Sequence, residues 1–225
     1  AKMLEPHNQG ILHLSFSNCA PALNFEVNRK GCHSWINDAL SYLEQQKEVN
    51  NVLLGFRYSA FLFGDHGNIY PGFPNVDINT RISQAYKKET PEEAREMYWQ
   101  SFKQIIDRLI LAGKTVYVFY PVPELPDHIV NILTPASIFG GGYLYDLQKT
   151  TPTSYYKQRH DFILSKLDSL DYGENLKAIK PFDALCANEF CSAAMNKQAL
   201  YFDDDHLSIA GATMVLELAK IEIEK

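Results

Sequence analysis

One stretch of the sequence joins residue types that can move a proton: Tyr201-Phe202-Asp203-Asp204-Asp205-His206-Leu207-Ser208-Ile209-Ala210-Gly211-Ala212. Asp203 stands three residues before His206, and a carboxylate at that spacing can accept the Nδ1 proton of the imidazole. Such a bond fixes the tautomer that leaves Nε2 free to deprotonate a hydroxyl, and the pair is then two-thirds of a serine triad. A bare Asp-x-x-His arises often by chance; position gives this one weight. A short apolar strand over 199–202 delivers the acids, His206 follows in the turn, and a helical pattern begins at once. Asp204 and Asp205 read either as ligands for substrate or metal or as solvated turn acids. The second reading is favoured, because a hard cation wants several oxygens in a defined geometry.

Other candidates are weaker. Glu124 follows the apolar run 115–120 and would lie at the C-terminal edge of a sheet, where open α/β folds bind ligands, so it is a candidate for substrate binding. Tyr143, Tyr145, Tyr155 and Tyr156 either stack on sugar faces or simply pack. Gly140-Gly141-Gly142 lacks the Lys-Ser/Thr and the following helix of a phosphate loop. His7, His13, His33, His66, His128 and His160 have no carboxylate or Cys at catalytic spacing and read as surface or core residues. The four cysteines fall into two local pairs, Cys19 with Cys32 and Cys186 with Cys191. Local spacing favours two short-loop disulfides and an oxidising compartment. Free buried thiols and a four-Cys zinc site stay open as alternatives, zinc ranking last for want of tight C-x-x-C spacing.

The elements that must position these groups follow from the apolar pattern. Residues 11–17 read as a short strand. Trp35, Ile36, Ala39, Leu40 and Leu43 recur at helical spacing, and 52–56 is a strand. The stretch 58–90 reads as irregular. Thr90-Pro91-Glu92-Glu93 opens a helix with a capping box and Pro at its first position, Tyr98, Phe102, Ile105, Ile106, Leu109 and Ile110 make its apolar face, and Gly113 stands where a left-handed cap belongs. The run 115–120 is β-rich and apolar throughout, as a strand covered on both faces would be. A long excursion spans about 121–153. A helix over 154–170, a strand over 176–182 and an amphipathic helix over 209–223 complete a βαβ alternation that predicts a three-layer α/β/α sandwich.

The 225 residues, 46% hydrophobic, suffice for one domain over 1–225. A net charge of −6 and a pI near 5.6 would repel a phosphate backbone, so nucleic acid is not an expected partner. No apolar run reaches the roughly 20 residues that span a bilayer. The segment Ala1-Lys2-Met3-Leu4-Glu5 has neither the basic nor the apolar region of a signal peptide, and the chain is expected to be a fragment.

The block from Asp203-x-x-His206 through Leu207-Ser208 into a terminal helix resembles the last block of SGNH (GDSL-like) hydrolases. Four features narrow the likeness: Cys19-Ala20-Pro21 with Cys32, Gly55-Phe56-Arg57-Tyr58-Ser59 at a strand end, Gly113-Lys114 through Pro121-Val122-Pro123-Glu124, and Cys186 to Cys191 ahead of the acids. Together these are similar to the periplasmic SGNH domain of bacterial acyltransferase family three O-acetyltransferases, which acetylate lipopolysaccharide O-antigen or other surface glycans. The likeness covers nearly the whole chain.

The resemblance implies a flavodoxin-like, mostly parallel sheet of the SGNH hydrolase fold. It implies O-acetyl transfer to a surface polysaccharide through a serine acyl-enzyme, with His206 as base then acid and Asp203 orienting it. The acceptor would be a bacterial surface glycan. An attached integral-membrane acyltransferase domain would deliver the acetyl group and tether the periplasmic domain to the inner membrane, with no cofactor in the domain itself, no metal and no nucleic acid. The family's Gly-Asp-Ser-His block, whose Ser is the nucleophile, is not in these residues; Gly64-Asp65-His66-Gly67 lacks the hydroxyl. First strand and nucleophile are therefore expected ahead of Ala1, and residues 1–225 alone should not turn over an ester through a covalent serine. The usual Gly-x-Asn-Asp is replaced by Gly55-Phe56-Arg57-Tyr58, so Arg57 reads as an oxyanion donor beside backbone N–H groups near Ala20, or as an ion-pair partner of a loop acid. A carbohydrate O-acetylesterase and a non-catalytic glycan-binding or docking module are the alternatives.

Overall fold

The computed structural model describes residues 10–25, 29–63, 90–135 and 142–224; His7, Gly64-Asp65-His66-Gly67, Gly140 and Gly141 lie outside them. Its first helix, α1 (Cys32–Gln45), turns Cys32, Ile36 and Leu40 inward at four-residue spacing. Strand β1 (Asn51–Leu54) follows, then α2 (Tyr58–Phe63). The sequence reading makes 58–63 irregular, because five of its six residues are buried and no polar face marks a helix. Burial on all sides holds this short turn together: Tyr58 and Phe56 sit edge-on to Phe102 at 5.4 and 5.7 Å.

Helix α3 (Pro91–Leu111) begins at the expected capping box: Glu93 N–H donates to Thr90 Oγ1 at 3.3 Å, and Thr90 N–H donates to Glu93 Oε2 at 2.8 Å. It ends in a Schellman motif. Gly113, at φ +77°, donates to the Ile110 carbonyl at 2.9 Å and Lys114 donates to that of Leu109 at 3.0 Å. Strand β2 (Thr115–Phe119), the short α4 (Ile129–Ile132), β3 (Thr151–Pro152), α5 (Thr153–Asp168) and β4 (Leu176–Ile179) come next. After α6 (Pro181–Leu185) the chain makes two small hairpins, β5 (Cys186–Ala187) with β6 (Phe190–Cys191), and β7 (Ala194–Met195) with β8 (Gln198–Ala199), and closes on α7 (Ile209–Glu224). Asn196 and Lys197 link β7 to β8 with φ of 52° and 63°, the backbone of a tight hairpin turn without glycine.

The main sheet has the order β1-β2-β4 with every neighbour parallel, Val116 pairing with Val52 on one side and Leu176 on the other. Alternation along the strands assigns the layers. Val52, Val116, Val118 and Leu176 face one core, shared with Ile36 and Leu40 of α1, Phe102, Ile106 and Leu109 of α3, and Ile163 and Leu167 of α5. Tyr117 and Ile179 face a second core with Ile129 and Ile132, Leu185, Leu200, Tyr201 and Val215 of α7. This is the α/β/α sandwich the alternation predicts.

Residues 11–17 do not form the expected strand. Ile11, Leu12 and Leu14 are exposed, and an extended segment with no ladder to join gains no regular structure. Among the described residues the outer edge of β1 has no paired strand either. Both local cysteine pairs are disulfides: Cys19–Cys32 closes the loop ahead of α1, and Cys186–Cys191 crosses the β5–β6 hairpin. Burial predicts how point changes on α3 divide. Ile106→Ala, at a position 1% exposed, should cost about 2–5 kcal/mol in urea unfolding. Leu111→Ala, at 86% exposed, should cost under about 0.5 kcal/mol by the same measurement.

Candidate active site

The loop carrying His206 is closed by its own backbone and docked by its neighbours. Tyr201 pairs with Leu207 across its base, and Phe202 N–H donates to the His206 carbonyl at 2.7 Å. From outside, Leu125 N–H donates to the Asp204 carbonyl at 2.7 Å and Ile129 N–H to that of Asp203 at 3.2 Å, while the Tyr201 hydroxyl donates to Pro123 O at 2.8 Å. The excursion after β2 is thus the floor of the loop.

Behind His206 the chain enters α7 in close contact with Leu200. Ser208 N–H donates to Leu200 O at 2.9 Å, and its hydroxyl donates to Ala199 O at 2.6 Å while accepting from Gly211 N–H at 3.2 Å. At Gly211 a Cβ would overlap the Leu200 carbonyl oxygen, so only glycine lets the helix start there.

Asp203 uses both carboxylate oxygens. Oδ1 accepts from the backbone N–H of Asp205 at 3.0 Å and of His206 at 2.7 Å; Oδ2 lies 2.8 Å from His206 Nδ1. Partial burial pushes its pKa up, but those two N–H groups and the ring outweigh it and hold the carboxyl down at about 2. The His206 side chain is 62% exposed, so its other edge is open to a reacting group.

Asp205 is not a solvated turn acid. Its side chain is 4% exposed, its Oδ1 lies 2.8 Å from the same Nδ1, and its Oδ2 pairs with Arg57 from the segment beyond β1. Burial pushes this carboxyl up to about 6, against the lowering pull of Arg57 and His206. Of the two readings of Arg57, the structure realises the ion pair. Sequence reasoning missed the second acid, although an acid adjacent to the His in a run of three was the available signal.

Ala20 is fully buried in the Cys19–Cys32 loop, its carbonyl accepting from Ala22 N–H at 2.6 Å. Glu124 is corrected as a substrate contact: its carboxylate is 6% exposed and accepts from Arg159 Nε at 2.7 Å, a buried cation that needs it more than any ligand could. Tyr155 and Tyr156 are core residues, Tyr145 packs against the second core, and Tyr143 is exposed. His160 hydrogen-bonds Ser59 at 2.6 Å, but both are at most 2% exposed and closed to substrate. Asp203, Asp205 and His206 bring ligand atoms within 4.8 Å of one another. With Arg57 already on Asp205 and both acids on Nδ1, this donor set fits an acid–base cluster better than a metal centre.

A family model described as SGNH domain (fused to AT3 domains) matches residues 1–220. No curated protein matches the chain. Among solved structures, the lipopolysaccharide acetyltransferase periplasmic domain of Salmonella ser. Paratyphi A is similar at a TM-score of 0.63 and 14% identity, over 100% of this chain and 77% of that one.

Two outcomes follow from this geometry. Gly211→Ala should force α7 off Leu200 and cost more than the roughly 1 kcal/mol of an ordinary helix substitution, read by thermal unfolding. Asp203, with a folded pKa of about 2 against the usual 3.8, contributes stability that is present above pH about 4 and lost as pH falls through 2. In Asp203→Asn that part of the acid dependence should vanish from unfolding free energies measured between pH 2 and 5.

Proposed function

Because the chain belongs to the family of SGNH domains fused to AT3 domains, we propose that it transfers an O-acetyl group to a bacterial surface polysaccharide of the lipopolysaccharide O-antigen type. It acts in the periplasm, tethered to the inner membrane by an attached acyltransferase domain. The observation that carries this reading is the 2.8 Å contact of Asp203 with Nδ1 on an imidazole that is 62% exposed. A ring anchored on one nitrogen and open on the other suits proton transfer. The acceptor class is taken from the similar Salmonella domain; among the described residues no helix is long and apolar enough to cross a membrane.

The nucleophile is assigned to the serine of the family's Gly-Asp-Ser-His block, which is not among residues 1–225. Its hydroxyl proton passes to His206 Nε2 as Oγ bonds to the acetyl carbonyl carbon. The oxyanion collapses, the donor's leaving group departs, and His206 returns the proton to it. A sugar hydroxyl then gives its proton to Nε2 and attacks the acyl-serine; His206 reprotonates the serine as acetylated glycan leaves. Asp203 compensates the imidazolium at both stages. No cofactor is assigned to this domain, the acetyl group arriving through the membrane domain.

In the full-length chain, His206→Ala should lower hydrolysis of 4-nitrophenyl acetate and acetylation of O-antigen polysaccharide by about 10³-fold or more. Parental rates in both assays would leave a non-catalytic glycan-docking role as the only reading.

A further inference from the structure

Two carboxylates, not one, lie 2.8 Å from the His206 Nδ1. We propose that Asp205, held in place by Arg57 and within ion-pair distance of the Nδ1 that Asp203 hydrogen-bonds, is a positioning residue that shares the Nδ1 proton with Asp203, so that two acids steer the imidazole. This rests on the acid–base role given to His206 above, and goes beyond it in assigning work to Asp205 and Arg57.

The two acids are held differently. Asp203 is part of the loop it orients, its Oδ1 tied to the N–H groups of residues 205 and 206 and its side chain 22% exposed. Asp205 is nearly inaccessible and is gripped from another element, since Arg57 follows β1 while the acid follows β8. A buried carboxylate is retained only where its charge is compensated. An ion pair that served stability alone would need no more than Arg57; here the second oxygen is directed at the ring. The pair therefore ties the imidazole to the C-terminal end of the sheet, where Asp203 ties it only to its own turn. The charged groups facing Asp205 are Arg57 from the sheet side and Asp203, Asp204 and His206 from its own loop.

Steady-state hydrolysis of 4-nitrophenyl acetate by the full-length chain tests this, with His206→Ala as reference. Where one acid orients the histidine, its change to Asn costs about 10⁴-fold in kcat. Here Asp203→Asn and Asp205→Asn should each lose about 10- to 10²-fold, because one carboxylate still accepts the proton, and the double variant should fall to the His206→Ala level. KM should stay near parental in the single variants. Arg57→Leu should match Asp205→Asn, add nothing in that background, and shift the limb that Asp205 contributes to the kcat profile to higher pH, since losing a cation raises a carboxylate. Arg57→Lys should recover part of the loss.

Parental kcat in Asp205→Asn and Arg57→Leu, alongside an inactive His206→Ala, would overturn the shared-proton assignment and leave the proposed function standing. Asp203→Asn as inactive as the double variant would overturn it equally. A further loss from Arg57→Leu in the Asp205→Asn background would move Arg57 to direct contact with substrate and remove it from the pair. Parental activity in His206→Ala would bring down the functional reading and this inference with it.

Discussion

The place of one imidazole depends on how closely α7 approaches the chain that precedes it. Leu200 takes a hydrogen bond from Ser208, and Gly211 sits against the Leu200 carbonyl with no room for a side chain. Seven residues, 201–207, must then leave and return between points that are almost in contact. The Tyr201–Leu207 bridge and the Phe202 to His206 hydrogen bond close the loop that results, and Asp203 caps it from within. A longer or looser entry to α7 would leave the same Asp-x-x-His spacing in the sequence and no defined direction for the ring.

The excursion after β2 supplies the opposing surface. Pro121 and Pro123 have no N–H to place, and their carbonyls accept from the buried hydroxyls of Tyr156 and Tyr201. Further along, the N–H groups of Leu125 and Ile129 face the loop and satisfy its carbonyls. Between them lies the Glu124–Arg159 pair, both partners buried. An ion pair out of water gives little net stability because desolvation offsets attraction, but it admits few alternative geometries. It pins the segment to α5 where the segment must present its amides to the loop. A stretch that looks like a surface insertion in the sequence therefore packs as a structural floor.

How much of this the sequence discloses depends on whether a residue's partner is near in the chain. The capping box of α3, its Gly113 terminus and both disulfides were legible because their partners lie within fifteen residues, and β2 was legible because a strand covered on both faces is apolar throughout. Asp203 and His206 were legible for the same reason of local spacing. Helix α2 was not, since its buried residues carry no periodic polar face. Asn196 and Lys197 form a left-handed turn without the glycine that would announce it. Glu124 with Arg159, and Arg57 with Asp205, are 35 and 148 residues apart, and nothing local says which acid a cation will choose. Residues 11–17 read as a strand on composition, yet a strand exists only as part of a ladder, and composition does not name the neighbour.

The divergence of the two acids has a physical use. Three consecutive acids beside a histidine, in a chain already at −6, would repel one another if all were solvated alike. Backbone N–H dipoles hold Asp203 ionised at about 2, whereas burial leaves Asp205 near 6 with Arg57 opposing the rise. Near neutral pH both carry charge, one compensated by fixed peptide dipoles and one by a guanidinium anchored at the sheet. In the proposed reaction the field around Nδ1 is thus in place before a proton reaches Nε2, and little need reorganise when it does. Preorganisation of this kind requires supports on separate rigid elements, which is why Arg57 beyond β1 and Gly211 in the first turn of α7 belong to the site as much as the acids do.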